Sequence, residues 1–115
     1  MMEENAARLL AQADQARLSG NYADAQPLLE QATGAYPQEA VFWWALGHVL
    51  LNTGEFDRSI QTFEKAVELE PSNQRYIMDL AKMLEMLAEY ERARPLLERV
   101  LQINPTTREA DEARK

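Results

Sequence analysis

His48 is the one histidine in a chain of 115 residues, and cysteine is absent. A metal site or a histidine-based catalytic centre needs partners at ligand spacing. His48 lacks them: there is no second histidine, and Asp14 and Asp79 fall on other predicted helices. Without cysteine there is no disulfide, thiolate metal site or thiol nucleophile. No phosphate-binding loop, nucleophile elbow or paired catalytic carboxylates can be assembled either. The expectation is a chain that is not an enzyme and carries no cofactor and no metal. The chemistry left over is recognition. Arg75 and Lys82 are of the type that grips a carboxylate or a peptide backbone. Asp14, Asp79 and Glu85 offset them, with Arg17 close to the first, so local ion pairs between neighbouring helices account for these charges equally well. Glu64, Lys65 and Glu68 read as a solvated face.

With 12 basic against 19 acidic residues the formal net charge is −7. A field of that sign repels phosphate backbones and anionic lipid, which disfavours nucleic-acid binding. The first residues, MMEENAARLLAQADQ, have acids where a signal peptide needs bases. The longest apolar stretch, Ala40 to Leu51, is interrupted by Gly47 and His48 and is too short to span a bilayer. These features predict a cytoplasmic protein with no direct membrane insertion.

The positioning elements come from a repeat. Pro37, Pro71 and Pro105 recur at one constant spacing (71 − 37 = 34 and 105 − 71 = 34). Units 6–39, 40–73 and 74–107 then align column by column. Leu9, Trp43 and Ile77 share a column, as do Gln12, Leu46 and Leu80. Small residues align at Ala13, Gly47 and Ala81, and again at Ala25, Ser59 and Ala93. Gly20, Gly54 and Ala88 mark a turn, followed by Tyr22, Phe56 and Tyr90, which are expected to fill the wedge towards the next unit. Leu29, Phe63 and Leu97 align, then Ala32, Ala66 and Val100. The outer units also share a phrase, Tyr22-x-x-Ala25-x-Pro27-Leu28-Leu29-Glu30 against Tyr90-x-x-Ala93-x-Pro95-Leu96-Leu97-Glu98. Apolar residues recurring at three and four predict helices over 5–18, 22–35, 40–52, 56–69, 74–86 and 90–103. Each late proline stops a second helix, and Asn73 and Thr106 or Thr107 are placed to cap the helices after them. Pro27 and Pro95 lie early in second helices, where a missing amide is expected to cost little.

The middle unit reads Trp43-x2-Leu46-Gly47-x2-Leu50, then Ser59-x3-Phe63, then Pro71. It resembles the tetratricopeptide repeat, whose signature is Trp-x2-Leu-Gly-x2-Tyr, then Ala-x3-Phe, then Pro, with the same period. The resemblance covers residues 6–107. Gln12 and Ala16 in the first unit depart from the Leu and Tyr of the pattern and imply a looser first helix. The resemblance implies an all-α fold: a right-handed superhelical solenoid of three helix-turn-helix hairpins in a single domain of 1–115, with 108–115 as a partial capping helix.

It also implies a function, because members of the family line a concave groove with the first helices of their hairpins. Carried onto this chain, the groove columns hold Leu10 and Asp14, then Val41, Trp44, Ala45, His48 and Leu51, then Arg75, Met78, Asp79, Lys82 and Met86. Arg17, Asn52 and Glu85 fall at the groove's edge. The expected role is a protein-protein interaction module (adaptor, scaffold or chaperone) that takes a peptide segment of a partner. Trp43 stands in the family's tryptophan column and is expected in the core. Trp44 points a helical step of about 100° away, where it either anchors a ligand, as tryptophan often does, or packs sideways on Leu10 and Met78. Some members hold a C-terminal carboxylate with Lys, Asn, Asn, Lys and Arg in set columns. Those columns here hold Leu10, Asp14, Ala45, Arg75 and Asp79, so that clamp is not expected. After Pro105 the run TTREADEARK is short, and Leu84, Leu87, Leu97 and Val100 are expected to be only partly covered. That end either meets another subunit, giving a homo-oligomer through the C-terminal repeat, continues in a longer chain, or is closed by the short tail. The alternative function is a structural solenoid that self-assembles through its terminal helices.

Overall fold

The computed structural model describes residues 2–115. Among the described residues there are seven helices and no strand: α1 (Glu4–Leu18), α2 (Tyr22–Ala35), α3 (Ala40–Asn52), α4 (Phe56–Leu69), α5 (Gln74–Met86), α6 (Tyr90–Ile103) and α7 (Arg108–Arg114). The chain divides into two compact units, Met1–Leu69 with α1 to α4 and Glu70–Lys115 with α5 to α7.

Local chemistry sets the boundaries. Asn21 caps α2 by accepting from the Asp24 amide, Asn73 accepts from the Tyr76 amide, and Thr107 accepts from the Ala110 amide. Each satisfies a donor that a helix start leaves orphaned. Pro27 and Pro95 fall at the sixth residues of α2 and α6, one turn deeper than the position where proline is free of cost. The intrahelical bonds to the carbonyls of Ala23 and Glu91 are forgone there, and both prolines are exposed to water.

The turn column needs a left-handed residue. Gly20 has φ 80° and Gly54 φ 84°, and Ala88 adopts φ 61° at the same place. A Cβ strains that conformation by about 1–2 kcal/mol, whereas glycine adds about 0.4–1 kcal/mol of unfolded-state entropy. Ala88→Gly should therefore stabilise the protein and raise its thermal midpoint by about 3 °C. An unchanged or lowered midpoint in calorimetry would contradict this reading of the turn.

In the first unit, Ala6, Ala13, Leu29, Phe42, Leu46 and Val49 belong to one buried cluster, with Leu9, Leu10, Tyr22 and Trp44 partly buried against it. The α3–α4 hairpin closes tightly because Gly47 has no side chain. A Cβ there would lie 2.8 Å from the Phe63 ring, and the Ser59 hydroxyl donates to the Gly47 carbonyl at 2.7 Å. Phe42, fully buried, occupies the centre, while Trp43 is only half-buried and donates from its indole to the Pro37 carbonyl at 2.9 Å. The expected core tryptophan thus braces the inter-helix turn instead. Of the turn aromatics, Tyr22 is half-buried, but Phe56 and Tyr90 are 39% and 60% exposed, so those two do not fill a wedge.

In the second unit, Ile77, Ala81, Leu84, Ala93 and Val100 are buried. Gln74 donates to the carbonyls of Val100 and Asn104 and so ties α5 to the end of α6. The tail covers more than its length suggested. α7 packs on α5 and α6 with Ala110 fully buried, and Leu84 and Val100 are closed to solvent. Leu87 and Leu97 remain half-exposed.

Candidate functional site

The first unit brings α1 and α3 side by side, and the residues between them form one face. Trp44 is half-buried. Arg17 of α1 stacks over its ring at 5.2 Å, and the His48 ring, one turn further along α3, meets it edge-on at 4.8 Å. His48 in turn meets the Phe63 ring of α4 edge-on at 5.1 Å. Arg17 also pairs with Asp14 at 3.1 Å, with side chains 15% and 35% exposed. Cation–π and edge-to-face contacts of this kind are each worth about 0.5–1.5 kcal/mol. Together they fix the indole in one orientation. A rigid aromatic held half in water binds without losing much side-chain freedom.

The remaining expected residues fall unevenly around it. Leu10, Val41 and Leu51 are half-buried, and Val41 and Leu51 sit one and two turns from Trp44 on the same side of α3. Ala45 is fully buried in the core and offers no surface. The second unit carries the other members. Met78 is 3% exposed, whereas Arg75 and Lys82 are exposed. With Asp79 of α5 and Arg108, Glu109 and Glu112 of α7 they line a cleft of about 230 Å³. Lys82 forms an ion pair with Glu112. The cleft therefore holds three cations and three carboxylates and is mixed in charge, unlike a basic socket for one anion.

Burial pushes the Tyr76 phenol up to about 12, with Glu70 adding to the shift and Arg75 opposing it. Burial and the neighbouring Glu3, which accepts from its hydroxyl, raise the Tyr36 phenol. Among the described residues no group of three or more His, Asp or Glu is placed to hold a metal ion, and no helix is long and apolar enough to cross a membrane.

The contact of Arg17 with Trp44 escapes a reading of the sequence. The family columns put Arg17 only at the edge of the groove, because nothing in a single sequence says that it crosses to α3. The α7 residues of the cleft do carry a signal. Arg108 lies two full periods after Ala40, so α7 begins in the register of α3.

A model of the tetratricopeptide repeat matches residues 10–73 and again residues 45–107. Over 48 residues the chain is 35% identical to a putative cytochrome c-type biogenesis protein, CcmH, of Haemophilus influenzae; the match covers 42% of this chain and 10% of that protein. Among solved structures it is similar to the type III secretion translocator chaperone SycD of Yersinia enterocolitica. There the TM-score is 0.85 at 20% identity, with 96% of this chain and 84% of the other covered. It is also similar to MamA of Desulfovibrio magneticus, with a TM-score of 0.81 at 21% identity over 87% of this chain and 56% of the other. At these identities the likeness is one of fold. The chain spans a tenth of the length of CcmH and little more than half of that MamA chain.

Proposed function

The chain belongs to the tetratricopeptide repeat family, and from that premise we propose that it is a protein-interaction module holding a peptide segment of a partner against the α1–α3 face. The observation that supports this is the braced indole of Trp44, clasped by Arg17 and His48 and left half open to solvent. Leu10, Val41 and Leu51 flank it with apolar surface, so the fitting peptide carries one or two large aliphatic side chains. Its backbone carbonyls accept from the Arg17 guanidinium and His48, and a backbone amide donates to the Asp14 carboxylate. On the second unit, Arg75 and Lys82 offer exposed cations to a separate acidic stretch of the partner, which can exchange with Glu112 for Lys82. A protein partner is favoured over nucleic acid because a net charge of −7 repels phosphate. The structural neighbour SycD, itself called a translocator chaperone, fits a chaperone role for such a face.

Trp44→Ala tests the reading. Truncating a central tryptophan should weaken partner capture about tenfold or more, while circular dichroism keeps its helical signature. Losing the Arg17 and His48 contacts should lower the thermal midpoint by several degrees, so capture is compared well below it. Undiminished capture of the same partners by Trp44→Ala would refute the proposal.

A further inference from the structure

The α1–α3 face holds a guanidinium whose donors are mostly unspent. Only 15% of the Arg17 side chain is open to solvent, and it makes one hydrogen bond among the described residues, from Nη2 to Oδ1 of Asp14 at 3.1 Å. Its Nε is sealed from solvent without a hydrogen-bond partner. The contact with the Trp44 ring, at 5.2 Å, is a cation–π contact and takes up no N–H. A guanidinium carries five donors, and a carboxylate accepts on two oxygens. Arginine and a carboxylate frequently meet through two parallel bonds, but Arg17 and Asp14 meet through one. A guanidinium N–H and Oδ2 of Asp14 are therefore left side by side, next to the half-buried indole. A charge so far out of water is costly while its hydrogen bonds are incomplete.

We propose that the Arg17–Asp14 pair is a carboxamide-reading subsite: an Asn or Gln side chain of the partner peptide gives its oxygen to Arg17 and an N–H to Asp14. The subsite belongs to the Trp44 peptide face, rests on that reading, and fixes the residue type that accompanies the aliphatic anchor. Three features select a carboxamide. It presents an acceptor and a donor on one edge, matching a donor and an acceptor set side by side. The C=O and N–H of a single trans peptide unit point opposite ways, so a backbone answers Arg17 and Asp14 only separately. A carboxylate would answer Arg17, but it has no donor for Asp14 and would be repelled by that charge, on a chain of net charge −7. A cation would answer Asp14 and oppose Arg17. The neutral amide satisfies both members without unbalancing the pair. In an extended segment residues two apart point to the same side, about 6.5–7 Å from each other. That is comparable with the 5.2 Å between the guanidinium and the indole. The fitting pattern is a large aliphatic residue with Asn or Gln two positions away, and Asp14 sets the preference for the amide.

The probe is a random peptide library displayed on phage and panned on the full-length protein. Wild type should enrich large aliphatic residues with Asn or Gln two positions away, favoured about tenfold over Asp or Glu at that position, the effect of one hydrogen bond to a charged group. Asp14→Asn is the telling variant. Its side chain keeps an oxygen for Arg17 and puts a donor where Oδ2 was. The preference at that position should therefore pass to Asp or Glu, while the aliphatic preference stays. A loss of packing does not produce such a reversal. Trp44→Ala should lose the aliphatic preference. A selected peptide and its amide-to-acid counterpart, titrated against wild type by fluorescence anisotropy, should give the same tenfold ratio without any variant of the protein. The proposal is overturned if wild type prefers acids or has no preference two positions from the aliphatic residue, or if Asp14→Asn selects as wild type does. Either result leaves the peptide face standing where the aliphatic selection still depends on Trp44. If wild type enriches nothing over Trp44→Ala, the peptide face and this subsite fall together.

Discussion

Phe42→Ala should destabilise the protein by about 3–5 kcal/mol, the usual cost of emptying a phenylalanine site in a packed core. The ring is 0% exposed, lies 6.1 Å from the Tyr36 ring, and belongs to the cluster that joins α1, α2 and α3. The buried cluster around it consists of helix residues, and Tyr36, in the turn after α2, is held by its hydroxyl to Glu3, which limits collapse into the hole. A loss of that size is a large part of a small domain's total stability of about 5–15 kcal/mol. Urea unfolding followed by circular dichroism measures it. Trp43→Ala is the control: Trp43 is larger but only half-buried, with a single hydrogen bond to the Pro37 carbonyl, and should cost clearly less. If the two substitutions cost the same, the assignment of Phe42 as the central side chain fails.

Gly47→Val should cost about 3 kcal/mol, for the opposite reason: overpacking of a filled site costs about 1–3 kcal/mol or somewhat more. The first carbon added at Gly47 would already lie 2.8 Å from two atoms of the Phe63 ring, and valine adds two methyls beyond it. The ring cannot swing aside, since Phe63 is 1% exposed. The same close approach carries the hydrogen bond from Ser59 to the Gly47 carbonyl, and separating the helices would break it. Combining Gly47→Val with Phe63→Leu should recover a good part of the loss, because the smaller side chain vacates the contested space. Strict additivity of the two changes in a double-mutant cycle would show that the contact is not the cause.

The helix map is legible in the sequence because two independent signals agree. The proline spacing sets the period, and the column of small residues at Ala13, Gly47 and Ala81 fixes which faces meet. The orientation of α3 is harder to read. Apart from His48 and Asn52 its sequence, AVFWWALGHVLLN, is apolar or glycine, so periodicity does not say which side is inward. Family columns then put Trp43 in the core, where the structure has Phe42. The Trp44 environment is half visible. His48 comes from spacing along one helix, but the Arg17 stack and the Phe63 contact depend on how α1 and α4 pack, which no single sequence encodes locally. The short tail reads as an incomplete cap. Its register against α3 is available by counting two periods, and its hold on Lys82 through Glu112 is not.

The most direct test of the proposed function places a photo-crosslinking amino acid at position 44 of the full chain in its native host, with a second variant carrying it at Glu68. Glu68 is exposed on α4, and its carboxylate pairs with Lys65 at 3.6 Å on what reads as a solvated face. Irradiation should give a discrete protein adduct from position 44 that maps to a segment with large aliphatic residues, and none of that mass from position 68. The proposal is contradicted if position 44 yields no adduct beyond background, or if both positions capture the same proteins to the same extent.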